Sequence, residues 1–397
     1  MKIKKYGKDS VVVVQNADNK GFFYIVKSGL LQVDSEHRLN DKALSHFGPG
    51  DSFGLVSALT GHKYLVSVFA AQESEVIEMP VSNLGTFLKS NQGVATSMLK
   101  MYCNELKAIH KYLSMVNPVE TRHHSPDKLP QQAQEYLGMG RPECAKRALE
   151  FFVEWAKNSP EHAVQAKQAA GQLRGLTASE GPDRSGGTLH LKPNDVVFVE
   201  NELSKDIYVI KSGKIRLSTL ARGQELLIDI LEPGEIFGEM SFVDDGLRMA
   251  TAVAQDDAEV MRFSPDTLFA SIGDVILQKI FISLARRIWF SHQRLVILRL
   301  KDPIERLYAF VYNLIRNFDI IHPQEANKLN YTFNLSMMEM KKMCGLSNMP
   351  DAKLEAFTKD TNLVFAEHSV DIKNRKMLED HINYHKTKIG QISAELV

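Results

Sequence analysis

Two ionisable residues, Glu239 and Arg248, stand in the stretch PGEIFGEMSFVDDGLRMATAVA, residues 233–254. The stretch reads as strand, tight turn, short helical turn, loop and strand. Gly238 opens the turn, and a glycine-opened turn presents backbone N–H groups that bind an anion as a nest. The Arg248 guanidinium, just before an alternating run of small and β-branched residues, can take a phosphate through two parallel N–H bonds. A carboxylate between these groups repels a phosphate, so Glu239 is expected to accept a hydroxyl. Nest, carboxylate and arginine together suit a phosphate attached to a sugar.

The elements that must position these groups come in duplicate. YIVKSGLLQV at 24–33 recurs as YVIKSGKIRL at 208–217, and FGPGDSFG at 47–54 recurs as LEPGEIFG at 231–238, both offset by 184 residues. Two matches at one offset indicate a duplicated domain. The KSG triplet predicts a hairpin turn in each copy, with glycine at positive φ. Short β-branched and aromatic runs separated by Gly, Asn and Asp predict strands, and each copy is expected to be an antiparallel β jelly-roll barrel. At the same offset Leu55 replaces Glu239 and Tyr64 replaces Arg248. The first copy therefore lacks the counter-charge for a phosphate, although His62 and Lys63 lie next to Tyr64. It reads as a scaffold, or as a site with a changed ligand on which Tyr64 stacks.

Composition sets wider bounds. A chain of 397 residues predicts two to four domains. Lys plus Arg and Asp plus Glu are equal at 48 each, so no global field draws the chain to nucleic acid or membrane. No apolar run approaches a membrane span, and the apolar run in MKIKKYGKDSVVVV is too short for a signal peptide. Cys103, Cys144 and Cys344 are far apart, which suits reduced thiols and a cytoplasmic location rather than a disulfide frame or zinc site. No metal cluster, nucleophile pair or Walker-type loop is evident, so neither a metal nor an enzyme activity is expected.

At residues 237–251 the sequence resembles the phosphate-binding cassette of the cyclic nucleotide-binding family, of the catabolite activator and kinase regulatory-subunit type. The family pattern, F-G-E followed by a short helix and R-x-A-T/S-V, stands here as Phe237-Gly238-Glu239 and Arg248-Met249-Ala250-Thr251. The resemblance implies that Glu239 binds a ribose 2′-hydroxyl and Arg248 the cyclic phosphate, with Met240 and Ala250 inside the cassette. Met249 replaces the family's small or hydroxyl residue. The 274–300 segment, DVILQKIFISLARRIWFSHQRLVILRL, is apolar on more than one face. Its LARR at 284–287 matches the family helix that pairs with its copy in a homodimer and closes over the base. Ser291 and His292 then fall at the base-contacting positions.

Between the copies lie two linkers and a different module. Residues 81–115 show helical periodicity. Residues 116–130 form a polar linker whose His123 and His124 are expected to be solvated. Residues 131–176 are rich in alanine and helix formers. Ala133, Tyr136, Gly140, Ala145 and Ala148 are spaced like a single tetratricopeptide (TPR-like) hairpin, which must pack on a barrel or on a protein partner. TASEGPDRSGG at 177–187 reads as a flexible linker.

Residues 301–397 resemble the family's winged helix-turn-helix. One short helix is expected to end at Gly345 and a second to start with Ser347 as its N-cap. A hairpin wing, NLVFAEHSVDIKN, and a last helix, RKMLEDHI, follow. The recognition segment lacks the family's arginines and glutamate, having Asn348, Met349, Pro350, Asp351, Ala352 and Lys353 instead. This region carries 13 basic and 13 acidic side chains, a balance that supplies no counterion-release term for DNA.

The expected architecture is multidomain α+β: a degenerate barrel with its helix (1–116), the helical insert (131–176), a competent barrel with a dimerisation helix (188–300), and a winged helix-turn-helix (301–397). The expected function is a cyclic nucleotide sensor, with cyclic AMP (cAMP) first, acting as a transcription regulator through a homodimer. Ser347, Asn348, Met349 and Lys353 would contact DNA. The alternatives are an adaptor that reports the nucleotide to a protein partner, and a cyclic dinucleotide receptor.

Overall fold

The computed structural model describes residues 1–34, 45–116, 124–221, 224–242, 246–264, 268 and 272–389. His123 and residues 243–245 of the cassette loop lie outside the described residues. The strands of the first copy are β1 (Lys2–Tyr6), β2 (Val11–Val13), β3 (Phe22–Ser28), β4 (Leu31–Asp34), β5 (His46–Phe47), β6 (Ser52–Phe53), β7 (Ser67–Ala70) and β8 (Ser74–Pro80). Those of the second are β9 (Thr188–Leu191), β10 (Val196–Phe198), β11 (Ile207–Ser212), β12 (Ile215–Ala221), β13 (Gln224–Leu231), β14 (Ile236–Phe237), β15 (Thr251–Ala254) and β16 (Ala258–Phe263).

Strand pairing repeats from one copy to the other. The first copy has antiparallel sheets in the orders β1-β8-β3-β6 and β2-β7-β4-β5, and the second has β9-β16-β11-β14 and β10-β15-β12-β13. Each pair of sheets encloses an apolar core. Val26, Leu31, Val68 and Val76 lie at the centre of the first, and Val197, Ile215, Phe237 and Val260 at the centre of the second. The KSG turn demands glycine in both. Gly29 has φ 95° and Gly213 φ 75°, and a Cβ on Gly213 would stand 2.3 Å from the Asp257 carbonyl oxygen.

The helices are α1 (Leu55–Thr60), α2 (Leu84–Ser90), α3 (Gln92–Val116), α4 (Leu129–Gly138), α5 (Pro142–Trp155), α6 (Ala163–Gly175), α7 (Asp274–Arg299), α8 (Pro303–Ile321), α9 (Met337–Met343), α10 (Glu355–Thr358) and α11 (Arg375–Ile389). The last three strands, β17 (Tyr331–Phe333), β18 (Leu363–Phe365) and β19 (Val370–Ile372), form one small antiparallel sheet. Among the described residues no helix is long and apolar enough to cross a membrane. The chain divides into two compact units, one of residues 1–84, 105–118 and 284–397, the other of residues 85–104 and 119–283.

In the second unit the helical insert packs on the second barrel. Leu129, Tyr136, Leu149 and Phe152 of α4 and α5 share a core with Val196, Val199, Leu220 and Val253. The phenyl ring of Phe152 is fully buried there, a contribution of roughly 2–3 kcal/mol. Polar ties reinforce this seam. Tyr136 shares a hydroxyl hydrogen bond of 2.6 Å with Thr251, and Asn201 Nδ2 donates to Gln132 Oε1 at 3.0 Å. His124, expected in solvent, is half-buried, with Nδ1 3.3 Å from Glu200 Oε1. The 177–187 segment is also tied down, not free. Arg184 Nη1 donates to the Val197 carbonyl at 2.7 Å, and Lys146 Nζ to the Ser179 carbonyl at 2.7 Å.

In the first unit, the part of α7 from Leu284 onward makes contacts with other elements. All residues from Ser283 to Leu298 are buried within a single chain. Ser291 Oγ lies 3.4 Å from His110 Nε2 of α3, Arg286 Nη1 donates to Asn317 Oδ1 of α8 at 2.9 Å, and Trp289 stacks on His62 of the first barrel. Toward the start of the helix Val275 is exposed.

The C-terminal region also differs in detail. Ser336 opens α9 with a capping box closed by Glu339, which satisfies two backbone donors at the helix start. Ser347 caps nothing. A 3-10 turn begins only at Asp351, and α10 is a single turn. Pro350 holds extended backbone, lacks an N–H and disfavours helix in the residue before it, which displaces the helix start by several residues.

One carboxyl gives a pH test. Burial raises the Glu105 side chain on α3 to about 7, so the folded chain keeps its proton where the unfolded chain, near 4.5, has lost it. Raising the pH from 4.5 to 7 therefore removes stability. Glu105→Gln is expected to raise stability at pH 8 by about 1 kcal/mol or more and to leave it nearly unchanged at pH 4.5, as read by urea unfolding at the two pH values.

Candidate functional site

β14 ends at Phe237, and Gly238 turns the chain with φ 78° into a 3-10 turn, Glu239–Phe242. The glycine has a steric reason as well as a conformational one. A Cβ at position 238 would lie 2.6 Å from Arg248 Nη1 and 3.1 Å from the Asp206 carbonyl oxygen. Beyond the loop, Leu247 bridges to Leu203, Arg248 N donates to the Glu202 carbonyl at 2.8 Å, and Asn201 N donates to the Arg248 carbonyl at 2.9 Å. The arginine is thus fixed by pairing with residues 201–203 before β15 begins.

Arg248 is 1% exposed, and both Nη atoms of its guanidinium donate hydrogen bonds. Nη1 donates to the Gly238 carbonyl at 2.7 Å and to Ser241 Oγ at 3.1 Å, and Nη2 to the Asp206 carbonyl at 2.7 Å and Ser204 Oγ at 3.1 Å. It lies over the Phe198 ring at 4.2 Å, where the ring face attracts a cation. Every one of these acceptors is neutral. Burial lowers the arginine pKa, while Tyr208, Glu202, Asp206 and Glu239 oppose the shift. Glu239 is itself buried, and its carbonyl accepts a weak bond from Cys103 Sγ at 3.6 Å. The structure therefore brings Phe237, Gly238, Glu239 and Arg248 into one cassette. Met240, Met249 and Ala250 are half-buried along it.

The first barrel places a ring at the corresponding position. Tyr64 is buried with its Cε1 3.2 Å from where a Cβ on Gly54 would stand, and it hydrogen-bonds Tyr24. Burial pushes both phenols up. Leu55, in the glutamate position, is fully buried in α1. This cassette offers no guanidinium and no carboxylate.

The description "cyclic nucleotide-binding domain" matches residues 3–91 and again 188–272. The chain is 30% identical over 168 residues to the CRP-like cAMP-activated global transcriptional regulator of Mycobacterium tuberculosis, covering 40% of this chain and 74% of that protein. The chain belongs to the cyclic nucleotide-binding domain family. It is also similar to the Cyclic AMP receptor protein of Thermus thermophilus, 27% identical over 188 residues, or 46% of this chain and 82% of that one. Among solved structures, the Thermus thermophilus Catabolite Activator Protein is 26% identical over 49% of this chain and 88% of that chain, with a TM-score of 0.26.

Membership in this family implies a cyclic nucleotide ligand, and the two barrels differ in how they fit one. The second keeps a glycine cradle that any Cβ would fill, a buried carboxylate and a buried cation. The first has lost both charges. Ser291 and His292, expected to face the base, belong to the unit that holds the first barrel, and His292 lines a cleft there with His62 and Tyr64. Of the expected DNA-contacting residues, Ser347, Asn348 and Met349 lie in turns between α9 and the 3-10 helix, and Lys353 lies within that helix. Asp351 is paired with Lys341 at 2.8 Å. Sequence reading missed Ser204, Asp206 and Ser241, which hold the arginine. Ser241 follows Gly238 by three residues, whereas Ser204 and Asp206 lie in a loop that no motif marks. Among the described residues no group of His, Cys, Asp and Glu is arranged to hold a metal ion.

Proposed function

We propose that the chain is a cyclic nucleotide sensor whose working site is the second barrel. The observation that carries this reading is a buried guanidinium whose hydrogen bonds, to Gly238, Ser241, Ser204 and Asp206, all go to neutral acceptors. Charge-assisted bonds to an anion are stronger than these, so an anionic oxygen competes well for the same donors. Arg248 would hold the cyclic phosphate, Gly238 would leave room for it, and Glu239 would accept the ribose 2′-hydroxyl.

Arg248 also supplies a route for signalling. It links the 238–241 turn, the 204–206 loop and the backbone of Glu202. Arg147 on α5 holds the Glu202 carboxylate, with Nε at 3.0 Å from Oε2. When Arg248 changes acceptors, the 204–206 loop and the cassette turn lose a shared anchor. The insert then meets a barrel surface of altered stiffness, a population shift that ligand binding would bias.

Calorimetric titration with cyclic AMP, cyclic GMP and a cyclic dinucleotide tests the reading. One equivalent of a mononucleotide per chain supports it. Heat from the dinucleotide alone redirects the site to that ligand, and silence toward all three overturns the sensor. For output, the named relatives favour transcription regulation, with α9, the 351–358 segment and the β18–β19 hairpin as a winged helix-turn-helix. The Lys341–Asp351 pair and the truncated α10 favour the second reading, an adaptor that works through protein contact. Affinity for DNA that falls steeply with salt and depends on base sequence supports the first, and absence of binding at low salt supports the second.

A further inference from the structure

A cleft opens where the first barrel, at Tyr64 in the position matching the cassette arginine, meets α7 and α8. Gln15, Asn16, His62, Lys63, Tyr64, Leu65, Trp289, His292, Gln293 and Arg316 line it, and it is shallow and open to solvent. Lys63 and Arg316 bring two formal positive charges to this lining, and no Asp or Glu takes part in it. Arg316 is held by an aromatic frame. His62 stacks on Trp289 with centroids 4.0 Å apart and planes 20° apart, and the Arg316 guanidinium lies 4.7 Å from the centre of the Trp289 ring.

The tautomer of His62 follows from its partner. Arg316 Nη2 lies 2.7 Å from His62 Nδ1. A guanidinium can only donate, so Nδ1 accepts and the ring proton sits on Nε2. Burial, with Arg316 alongside, lowers His62 to about 3, which keeps the ring neutral and this tautomer in place. Nε2 is buried and makes no hydrogen bond within the chain. A buried N–H donor without an acceptor costs about 1–3 kcal/mol. The amide groups of Gln15, Asn16 and Gln293 add further donors to the rim.

We propose that this cleft is a second ligand site that binds an oxyanion, the phosphate group of a small phosphorylated molecule, through Lys63 and Arg316, with the neutral His62 ring holding Arg316 in place. The indole of Trp289 is already stacked, so the cleft selects for the anionic group and not for a flat ring. Two sources share this chemistry, free phosphate and a nucleotide monophosphate. The site is separate from the second cassette and does not depend on that cassette binding a ligand.

The chain has two tryptophans, Trp155 and Trp289. Trp155→Phe leaves emission from Trp289 alone, and this protein is titrated with inorganic phosphate, 5′-AMP and adenosine. The expected result is a saturable change with phosphate or AMP and none with adenosine. Equal affinity for phosphate and AMP assigns the site to the free anion, and at least tenfold tighter AMP binding assigns it to the nucleotide. Lys63→Met should weaken either by at least tenfold. Lys63 is half-exposed, so its replacement keeps the fold, and a circular dichroism melt checks this. No saturable response, a response to adenosine equal to that for AMP, or a Lys63→Met protein that binds as tightly as the parent would each overturn the assignment.

Discussion

Arg248→Met is expected to weaken cyclic nucleotide binding at least 100-fold in calorimetric titration. Truncating a buried charge that meets an anion costs roughly 2–5 kcal/mol, and each 1.4 kcal/mol is a factor of ten. The guanidinium is the cation held among Gly238, Ser241, Ser204 and Asp206, so no neighbouring side chain in that set can replace its charge. The substitution also strips donors from the Gly238 and Asp206 carbonyls, a loss of about 1–3 kcal/mol for a buried acceptor left unpaired. A thermal melt of the apo protein measures that part separately. Arg248→Lys is the control. It retains the charge without the planar fork, so it should recover part of the affinity and little of the hydrogen bonding. Affinity for Arg248→Met within threefold of the parent would remove the second cassette from the mechanism.

Arg147→Met should destabilise the chain by about 3–5 kcal/mol, the range for breaking a buried ion pair by deleting one partner. Arg147 reaches from α5 to Glu202, whose side chain is 4% exposed. Glu202 also accepts from Val199 N at 3.3 Å, and its carbonyl receives the backbone N–H of Arg248. The Glu202 carboxylate then loses its ion-pair partner beside the segment that carries the cassette arginine. Urea unfolding followed by far-ultraviolet circular dichroism reads the loss. Pairing this variant with Glu202→Gln completes a double-mutant cycle, in which a coupling of at least 1 kcal/mol is expected. A loss below 1 kcal/mol for Arg147→Met would mean that the insert rests on its apolar core alone.

Much of the architecture was readable because duplication leaves the same pattern twice. The 184-residue offset foretold two barrels, and the strand orders repeat element for element. The cassette was readable because glycine, glutamate and arginine each have a narrow chemical use at that spacing. Tyr64 was readable as a lost charge, but not as a ring filling the guanidinium's place against Gly54. The partner of α7 was hidden for a different reason. A helix apolar on several faces looks the same from sequence whether a second copy or its own chain covers it. Here Ser283 to Leu298 are covered within one chain. Ser347 looked like a cap because its residue type suits one, and Pro350, three residues on, overrode that local preference. The insert gave periodicity but no address, since a row of alanines and aromatics does not specify which surface it will meet.

The seam between insert and barrel also changes where this protein can be divided. The glycine- and serine-rich stretch at 177–187 looks like the natural place for a cut, yet the cores on either side of it are one. Severing the chain there would leave Leu149 and Phe152 facing water on one fragment and Val196, Val199 and Val253 on the other. Each piece would carry a sticky face and tend to aggregate. The smallest piece that keeps the nucleotide cassette intact begins before α4, near His124, so that module and barrel are inherited, expressed and unfolded as one body.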